Sequence, residues 1–260
     1  MSTFLFHEII FGPVKSRRLG VSLGINLLPI NKKLCNFDCI YCECGWTRDV
    51  EISSSRPPSR EEVYRALELK LAELKKKDQA PDVITYAGNG EPTLHPECPE
   101  IIDDTLVLRD KYFPQARIAV LSNSTTSSNP AIKAALLKID QNILKLDSAL
   151  DSTIRTHNQP RVSITAEELI GNLAGFNGKV IIQTLFLRGI YKDKTIDNTT
   201  HAEIKAWLKA LARIKPSEVM IYTISRDTPS GARLTKIPLE ELKKIAASVN
   251  SIGIKTQVSG

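Results

Sequence analysis

The segment CNFDCIYC at residues 35–42 carries Cys35, Cys39 and Cys42 in a Cys-x3-Cys-x2-Cys spacing. Three thiolates on so short a loop can hold three corners of a cubane iron–sulfur cluster and leave the fourth iron open to reaction. Two other uses of these residues compete. A structural zinc site wants four ligands, and His7 and His95 do not stand at a finger-like spacing from the triad. An electron-carrying cluster wants a fourth thiolate, and Cys44, two residues past Cys42, would have to fold back sharply to supply it. Five cysteines in 260 residues are too few for a disulfide scaffold, and the crowding of three favours cofactor ligation.

Other polar groups fall at the ends of apolar runs. In GNGEP at 88–92, Gly88, Asn89 and Gly90 let backbone approach a ligand closely, and Glu91 can accept hydrogen bonds from an ammonium; the bland alternative is a tight turn. Ser122, Asn123 and Asp147 can bind sugar hydroxyls, and Lys145 can meet a carboxylate. A plain Lys145–Asp147 pair on one strand face is the equal alternative. Lys15, Arg17 and Arg18, with Lys32 and Lys33 just before Cys35, suit a phosphate or an acidic electron donor, or form a solvated basic edge. His95 reads as structural or surface and Cys98 as an inert buried thiol.

The elements that position these residues alternate between strand and helix. Ser59 with Glu62 predicts a capping box for a helix carrying Val63, Leu67, Leu71 and Leu74 on one face. Strands follow at 82–87, 117–122, 143–147, 179–187 and 218–224, with helices near 97–112, after Asn129 and Pro130, after Thr165 with Glu168, after Thr200 with Glu203, and from Pro238; GIKTQV ends the series as a short strand. With VSLGINLLP at 21–29 as the first strand, about six β–α units predict an α/β parallel sheet, doubly wound or curled into a barrel, with ligands at the carboxyl ends of its strands. Nothing marks a linker, so residues 1–260 are expected to form one domain.

Composition narrows the setting. Apolar residues are 42% and charged residues 25%, and no run approaches the roughly 20 apolar residues of a membrane helix. The N-terminus lacks a basic region before its apolar start and carries Glu8 within it, so a cytoplasmic protein is expected. A net charge of +6 permits an acidic partner or nucleic acid without requiring either.

Taken together, CNFDCIYC and GNGEP one βα unit later resemble the radical S-adenosylmethionine (SAM) superfamily over nearly the whole chain. The resemblance implies a partial (β/α)6 TIM-like barrel with the [4Fe-4S] cluster and SAM at the carboxyl ends of the strands. It implies that the open iron chelates SAM, which is cleaved to a 5′-deoxyadenosyl radical. Tyr41 matches the position packing near adenine, and Gly88, Asn89, Gly90 and Glu91 match the motif that meets the SAM amino group. Asn158, Gln183 and the stretch from Tyr222 to Arg226 lie where the family places SAM or substrate contacts. FGPVKSRRLG, GNGEPTLHPE, KLDSALDSTIRTHNQP and IIQTLFLRGI look most like a subgroup of wyosine-type tRNA-modification proteins. The ring-forming members of that subgroup hold a second cluster on additional cysteines, whereas only Cys44 and Cys98 lie outside the triad here. Implied partners are a flavodoxin- or ferredoxin-like reductant and a small-molecule, nucleotide or tRNA substrate. A non-catalytic iron–sulfur or zinc module that binds nucleic acid is the alternative of a different class.

Overall fold

Each apolar run is followed by a helix whose buried stripe lies back over it. In the computed structural model, which describes residues 4–47, 56–226 and 232–260, the order is β1 (Ile10–Ser16), β2 (Gly20–Ile25), α1 (Arg60–Lys76), β3 (Val83–Tyr86), α2 (Cys98–Tyr112), β4 (Arg117–Ser122), α3 (Pro130–Leu136), β5 (Gln141–Lys145), α4 (Asp151–Thr153), α5 (Ala166–Ala174), β6 (Ile181–Tyr191), β7 (Lys194–Asp197), α6 (His201–Ile214), β8 (Glu218–Thr223), β9 (Arg233–Lys236), α7 (Leu239–Ser251) and β10 (Lys255–Ser259). Two of the three Ser/Thr–Glu pairs read as helix starts close as capping boxes, Ser59 with Glu62 and Thr165 with Glu168. Thr200 accepts from Glu203 N without the reciprocal bond, because the Glu203 carboxylate is taken by Ser148 and Thr153.

The sheet runs β1-β2-β3-β4-β5-β6-β8-β10 and is parallel from β2 to β10. β1 lies antiparallel on β2 at one edge, and the sheet is not closed between β1 and β10. It is the expected curled partial barrel. One face of the strands, with Ile84, Ile118, Leu144, Ile182 and Val219, packs on helix residues such as Leu67, Ile102, Leu173 and Trp207. The opposite face turns inward. There Val83, Ala119, Ile143, Ile181 and Met220 gather around Leu19 from the β1–β2 turn, so that Leu19 forms an apolar floor at the amino ends of the strands.

Three strands escape sequence patterning. β1 is an edge whose residues after Ile10 are half-buried or exposed, and Pro13 interrupts it, so it has no apolar alternation to read. β6 runs four residues past the predicted end at Leu187, and this extension carries β7 and β9 antiparallel above the barrel.

Candidate active site

The cysteine loop follows β2 and is pinned from two sides. Leu34 donates its N–H to Asn89 O (2.8 Å) and accepts from Glu91 N (3.0 Å), which lays the loop against GNGEP. Gly90 makes this possible: its φ is +134°, and a Cβ there would stand 1.9 Å from Leu34 O. On the other side, Asp38 N bonds Gln159 O, Ile40 N bonds His157 O, and Arg161 N bonds Asn36 O. His157 belongs to a π-helical turn, Ile154–Asn158, which Gln159 ends in the left-handed region, and Arg161 follows just after it.

The loop closes over a cation. Lys33, read from sequence as part of a basic edge, is only 4% exposed. Its Nζ donates to Asp38 Oδ1 (3.1 Å) and Gly45 O (2.9 Å). Burial pulls its pKa down, but the sulfurs of Cys42, Cys35 and Cys39, together with Asp38, more than offset this and hold it above the ordinary lysine value. Amide donors also reach the sulfurs: Phe37 N at 3.4 Å and Asn123 Nδ2 at 3.6 Å from Cys35 Sγ, and Asn158 Nδ2 at 3.5 Å from Cys39 Sγ. Burial pushes the Cys35 thiol up to about 12, against the pull of Lys33. The Cys42 thiol is lowered, first by a hydrogen bond from Cys44 and then by Lys33.

A buried ammonium and convergent amide donors are what three thiolates of a cluster need, and in that respect the residues fit a [4Fe-4S] group. Among the described residues no three His, Cys, Asp or Glu side chains are grouped to hold a metal ion. That arrangement serves one ion with several ligands, whereas a cubane offers each thiolate its own iron. Cys44 lies beside Cys42, with its Sγ 3.7 Å from Gly88 O, and Cys98 is buried in the main core.

The GNGEP side chains face inward on their own supports. Asn89 is fully buried; its Oδ1 accepts from Phe6 N, and its Nδ2 donates to Phe6 O and Pro29 O, each at 2.8 Å. Glu91 accepts from Thr93 N and Oγ1 on one oxygen and from Asn123 N (2.6 Å) on the other. Burial raises its pKa despite these donors and Ser122. Thus Glu91 ties Ser122 and Asn123, at the end of β4, to the turn below the cysteine loop, and Asn123 carries the tie to Cys35. Gly88 borders the same loop through its carbonyl contact with Cys44.

Asp147 is the second hub. Its side chain is wholly buried and accepts from Tyr41 Oη, Asn158 Nδ2 (2.7 Å), Leu185 N (2.9 Å) and Lys145 Nζ (3.3 Å). The Lys145–Asp147 pair weighed from sequence therefore exists, and Lys145 also donates to Tyr222 Oη at 2.9 Å. Burial lowers the Lys145 pKa, yet Asp147 and Tyr222 raise it overall. Tyr41 is buried with its ring 5.1 Å from Lys145 Nζ. Gln183, across from Lys145 in the β5–β6 register, accepts from Arg18 Nη1 at 2.9 Å.

The basic stretch divides. Lys15 and Arg17 are exposed, as a solvated edge requires, whereas Arg18 is half-buried and reaches the inner face of the barrel. His95 is structural: Nδ1 accepts from Glu97 N (3.1 Å), which leaves Nε2 to donate to Pro58 O (2.7 Å). Sequence reasoning missed Lys33 as an interior cation and His157 at the π turn; the nearness of Lys33 to Cys35 was the only signal for either.

A family model described as the radical SAM superfamily matches residues 33–189, more than half of the chain. A UPF0026 protein of Helicobacter pylori (strain J99) is 30% identical over 243 residues, covering 91% of this chain and 72% of that protein. Among solved structures, a radical SAM methyltransferase from Sphaerobacter thermophilus is similar with a TM-score of 0.64 at 14% identity, over 92% of this chain and 65% of that one. The chain thus spans slightly less than two thirds of the methyltransferase. TYW1 with a lysine–pyruvate adduct bound gives a TM-score of 0.58 at 17% identity, over 88% of this chain and 73% of that one. At these identities the likeness is one of fold. The matched model begins at Lys33 beneath the cysteine loop and runs into β6, and the chain belongs to the radical SAM superfamily and its UPF0026 group: it is an enzyme that works with a [4Fe-4S] cluster and SAM.

Proposed function

We propose that Cys35, Cys39 and Cys42 hold one [4Fe-4S] cluster and that the enzyme cleaves SAM reductively at its open iron, using the product radical to take hydrogen from a substrate in the barrel. The observation that carries this reading is the loop itself, whose sulfurs receive amide donors and whose base holds the buried Lys33 ammonium against Asp38 and Gly45 O. When bound, the cluster supplies the electron and SAM supplies the 5′-deoxyadenosyl radical. The protein's part is to hold and orient. The GNGEP turn, fixed by Gly90 against Leu34 and by Glu91 against Thr93 and Asn123, offers backbone to the SAM amino group. Ser122, Asn123, Asn158, Gln183 and Tyr222 are the groups we assign to the nucleoside and the substrate. Tyr41, held by Asp147 and Asn158, offers its ring toward adenine, and Lys145 offers its ammonium toward the SAM carboxylate.

Membership of an enzyme superfamily sets aside the non-catalytic module. The fold shared with TYW1 supports a place near the wyosine-type tRNA-modification subgroup, with a small-molecule, nucleotide or tRNA substrate. The chemistry needs a one-electron reductant, and the exposed Lys15 and Arg17 suit an acidic flavodoxin- or ferredoxin-like donor. We read residues 1–260 as one radical SAM domain. We read the setting as cytoplasmic; separately, among the described residues no helix is long and apolar enough to cross a membrane.

Anaerobic incubation of the reconstituted protein with SAM and dithionite is expected to release 5′-deoxyadenosine and methionine. Full cluster content without either product would overturn the reading.

A further inference from the structure

Inside the barrel Arg18 stands without a counter-charge among the described residues. Arg18 enters from the β1–β2 turn, next to the floor residue Leu19. Its backbone is fixed: its N–H donates to Ser16 Oγ (3.3 Å), and its carbonyl accepts from Gln257 Nε2 (3.0 Å) of β10. Its guanidinium lies 4.4 Å from the centroid of the Tyr222 ring and donates through Nη1 to Gln183 Oε1 at 2.9 Å. Among the described residues no carboxylate pairs with it, and its remaining donors make no hydrogen bond. A guanidinium carries five N–H donors in a planar fork that matches an oxyanion.

The neighbours sharpen this imbalance. Lys145 Nζ lies 5.3 Å from the same Tyr222 centroid, but its charge is met by Asp147. A second cation on the same ring, lacking its own carboxylate, leaves this part of the barrel net positive. An anion that joins cations sharing one ring lowers their electrostatic energy. The place is also within reach of the proposed chemistry. Asp147, the hub beside Tyr41 and the cysteine loop, is two residues beyond Lys145, or about 7 Å along a strand at the usual rise per residue.

We infer that Arg18 binds an oxyanion, a carboxylate or phosphate, of a small acidic substrate whose other end faces the cysteine loop. Arg18 then sets which substrates enter productively: the barrel takes a compact molecule with a terminal anion, gripped by the Arg18 fork against Tyr222 and Gln183. Arg17 has no such part, because it is exposed and its Nη1 is engaged by Gly260 O at 2.7 Å. This inference rests on the radical SAM reading for what happens at the far end of the substrate, while the anion site itself can be tested without turnover.

The test uses the reconstituted holoenzyme with SAM under anaerobic conditions and constant ionic strength. Phenylglyoxal, which modifies accessible arginine, is applied with and without inorganic phosphate or succinate, and Arg17 and Arg18 are scored by peptide mass spectrometry. Protection of Arg18 by either anion, with Arg17 unchanged, is the expected result, and the more effective anion tells phosphate from carboxylate. Calorimetric titration of the same anions should show at least tenfold weaker binding to Arg18→Gln and less than a twofold change for Arg17→Gln. The protection experiment uses the unaltered chain, so it stands even if Arg18→Gln folds poorly. Equal protection of both arginines, no protection of Arg18, or protection by a short RNA but by neither small anion would overturn the inference. Since neither readout involves SAM cleavage, a negative result here leaves the 5′-deoxyadenosine assay to judge the radical SAM reading.

Discussion

The cysteine loop and the β1–β2 turn each draw a cation from a basic stretch into the interior, and they treat its charge in opposite ways. Lys33 is met on the spot by Asp38, by a backbone carbonyl and by the fields of three sulfurs. Arg18 is met by a neutral amide and the face of a ring. A charge withdrawn from water is costly unless it is paired, so the absence of a resident carboxylate at half-buried Arg18 points to an anionic ligand. The same contrast separates Lys145, bound to Asp147, from its neighbour over Tyr222.

The largest expected effect removes what surrounds Lys33. Alanine at Cys35, Cys39 and Cys42 together should take iron from about four per chain, the content of one [4Fe-4S] cluster, to background. Cys44, adjacent to Cys42 on the same loop, and Cys98, buried in the core, should not rebuild it. Iron and sulfide analysis after anaerobic reconstitution decides the matter, and a second cluster surviving in the triple variant would revive a two-cluster, ring-forming reaction.

Lys33→Met attacks the same region from its positive side. Breaking a buried pair by removing one partner costs about 3–5 kcal/mol, because the other charge is left behind. Here Asp38, at 13% side-chain exposure, would lose its Lys33 partner but keep Thr47 N (2.7 Å) and the outer pair with Arg161 (3.4 Å), which puts the expected cost at the lower end of that range. We expect a loss of that order in urea unfolding together with reduced cluster content. A variant as stable as the parent would mean that the cation is not compensated in the way described. The Glu91→Gln variant should do less. An amide in place of the carboxylate turns an N–H donor toward Thr93 or toward Asn123 N, losing a charge-assisted bond worth about 1.5–3 kcal/mol. SAM affinity, measured by equilibrium dialysis, should fall while iron content stays near four per chain; loss of iron with unchanged affinity would assign Glu91 to the cluster loop instead.

How much of this was legible depended on range. The capping boxes at Ser59 and Thr165 and the Cys-x3-Cys-x2-Cys loop are local patterns, complete within a few residues, and each forms where the sequence predicts it. The two cations were not legible, because Lys and Arg in a polar stretch look the same whether they face water or a barrel. Arg18 finds Gln183 at a separation of 165 residues, a contact set by sheet curvature and by no local pattern. The π turn at Ile154–Asn158 has neither the 3.6-residue nor the 2-residue period, so its ladder against the cysteine loop was equally hidden. Glu91 was seen, but its engagement with Thr93 and Asn123 was not, since an N-terminal cap on a 3-10 turn and a ligand carboxylate share one sequence signature.

That hidden turn supplies the third way of handling an interior ionisable group, which is to keep it neutral. His157 is 2% exposed, and its Nδ1 is buried with no hydrogen-bond partner. Burial lowers its pKa below the usual 6.5, with Asp147 and Asp197 only partly opposing. In the unfolded chain the imidazole takes up a proton near that usual value, so below it the unfolded state binds more protons than the folded one. Stability therefore rises with pH through the unfolded value and is lost as pH falls beneath it, by at most about 1.4 kcal/mol per pH unit for one group. His157→Gln should flatten this part of the stability profile between pH 7 and 5, while the exposed His201→Gln at the start of α6 should leave it as it is. The backbone bond from Ile40 N to His157 O survives either change, so the cysteine loop keeps its edge and the comparison isolates the side chain. Urea midpoints across that pH range measure it. A profile of unchanged slope in His157→Gln would show that the acid sensitivity arises elsewhere, and the contrast would then reduce to the two cations.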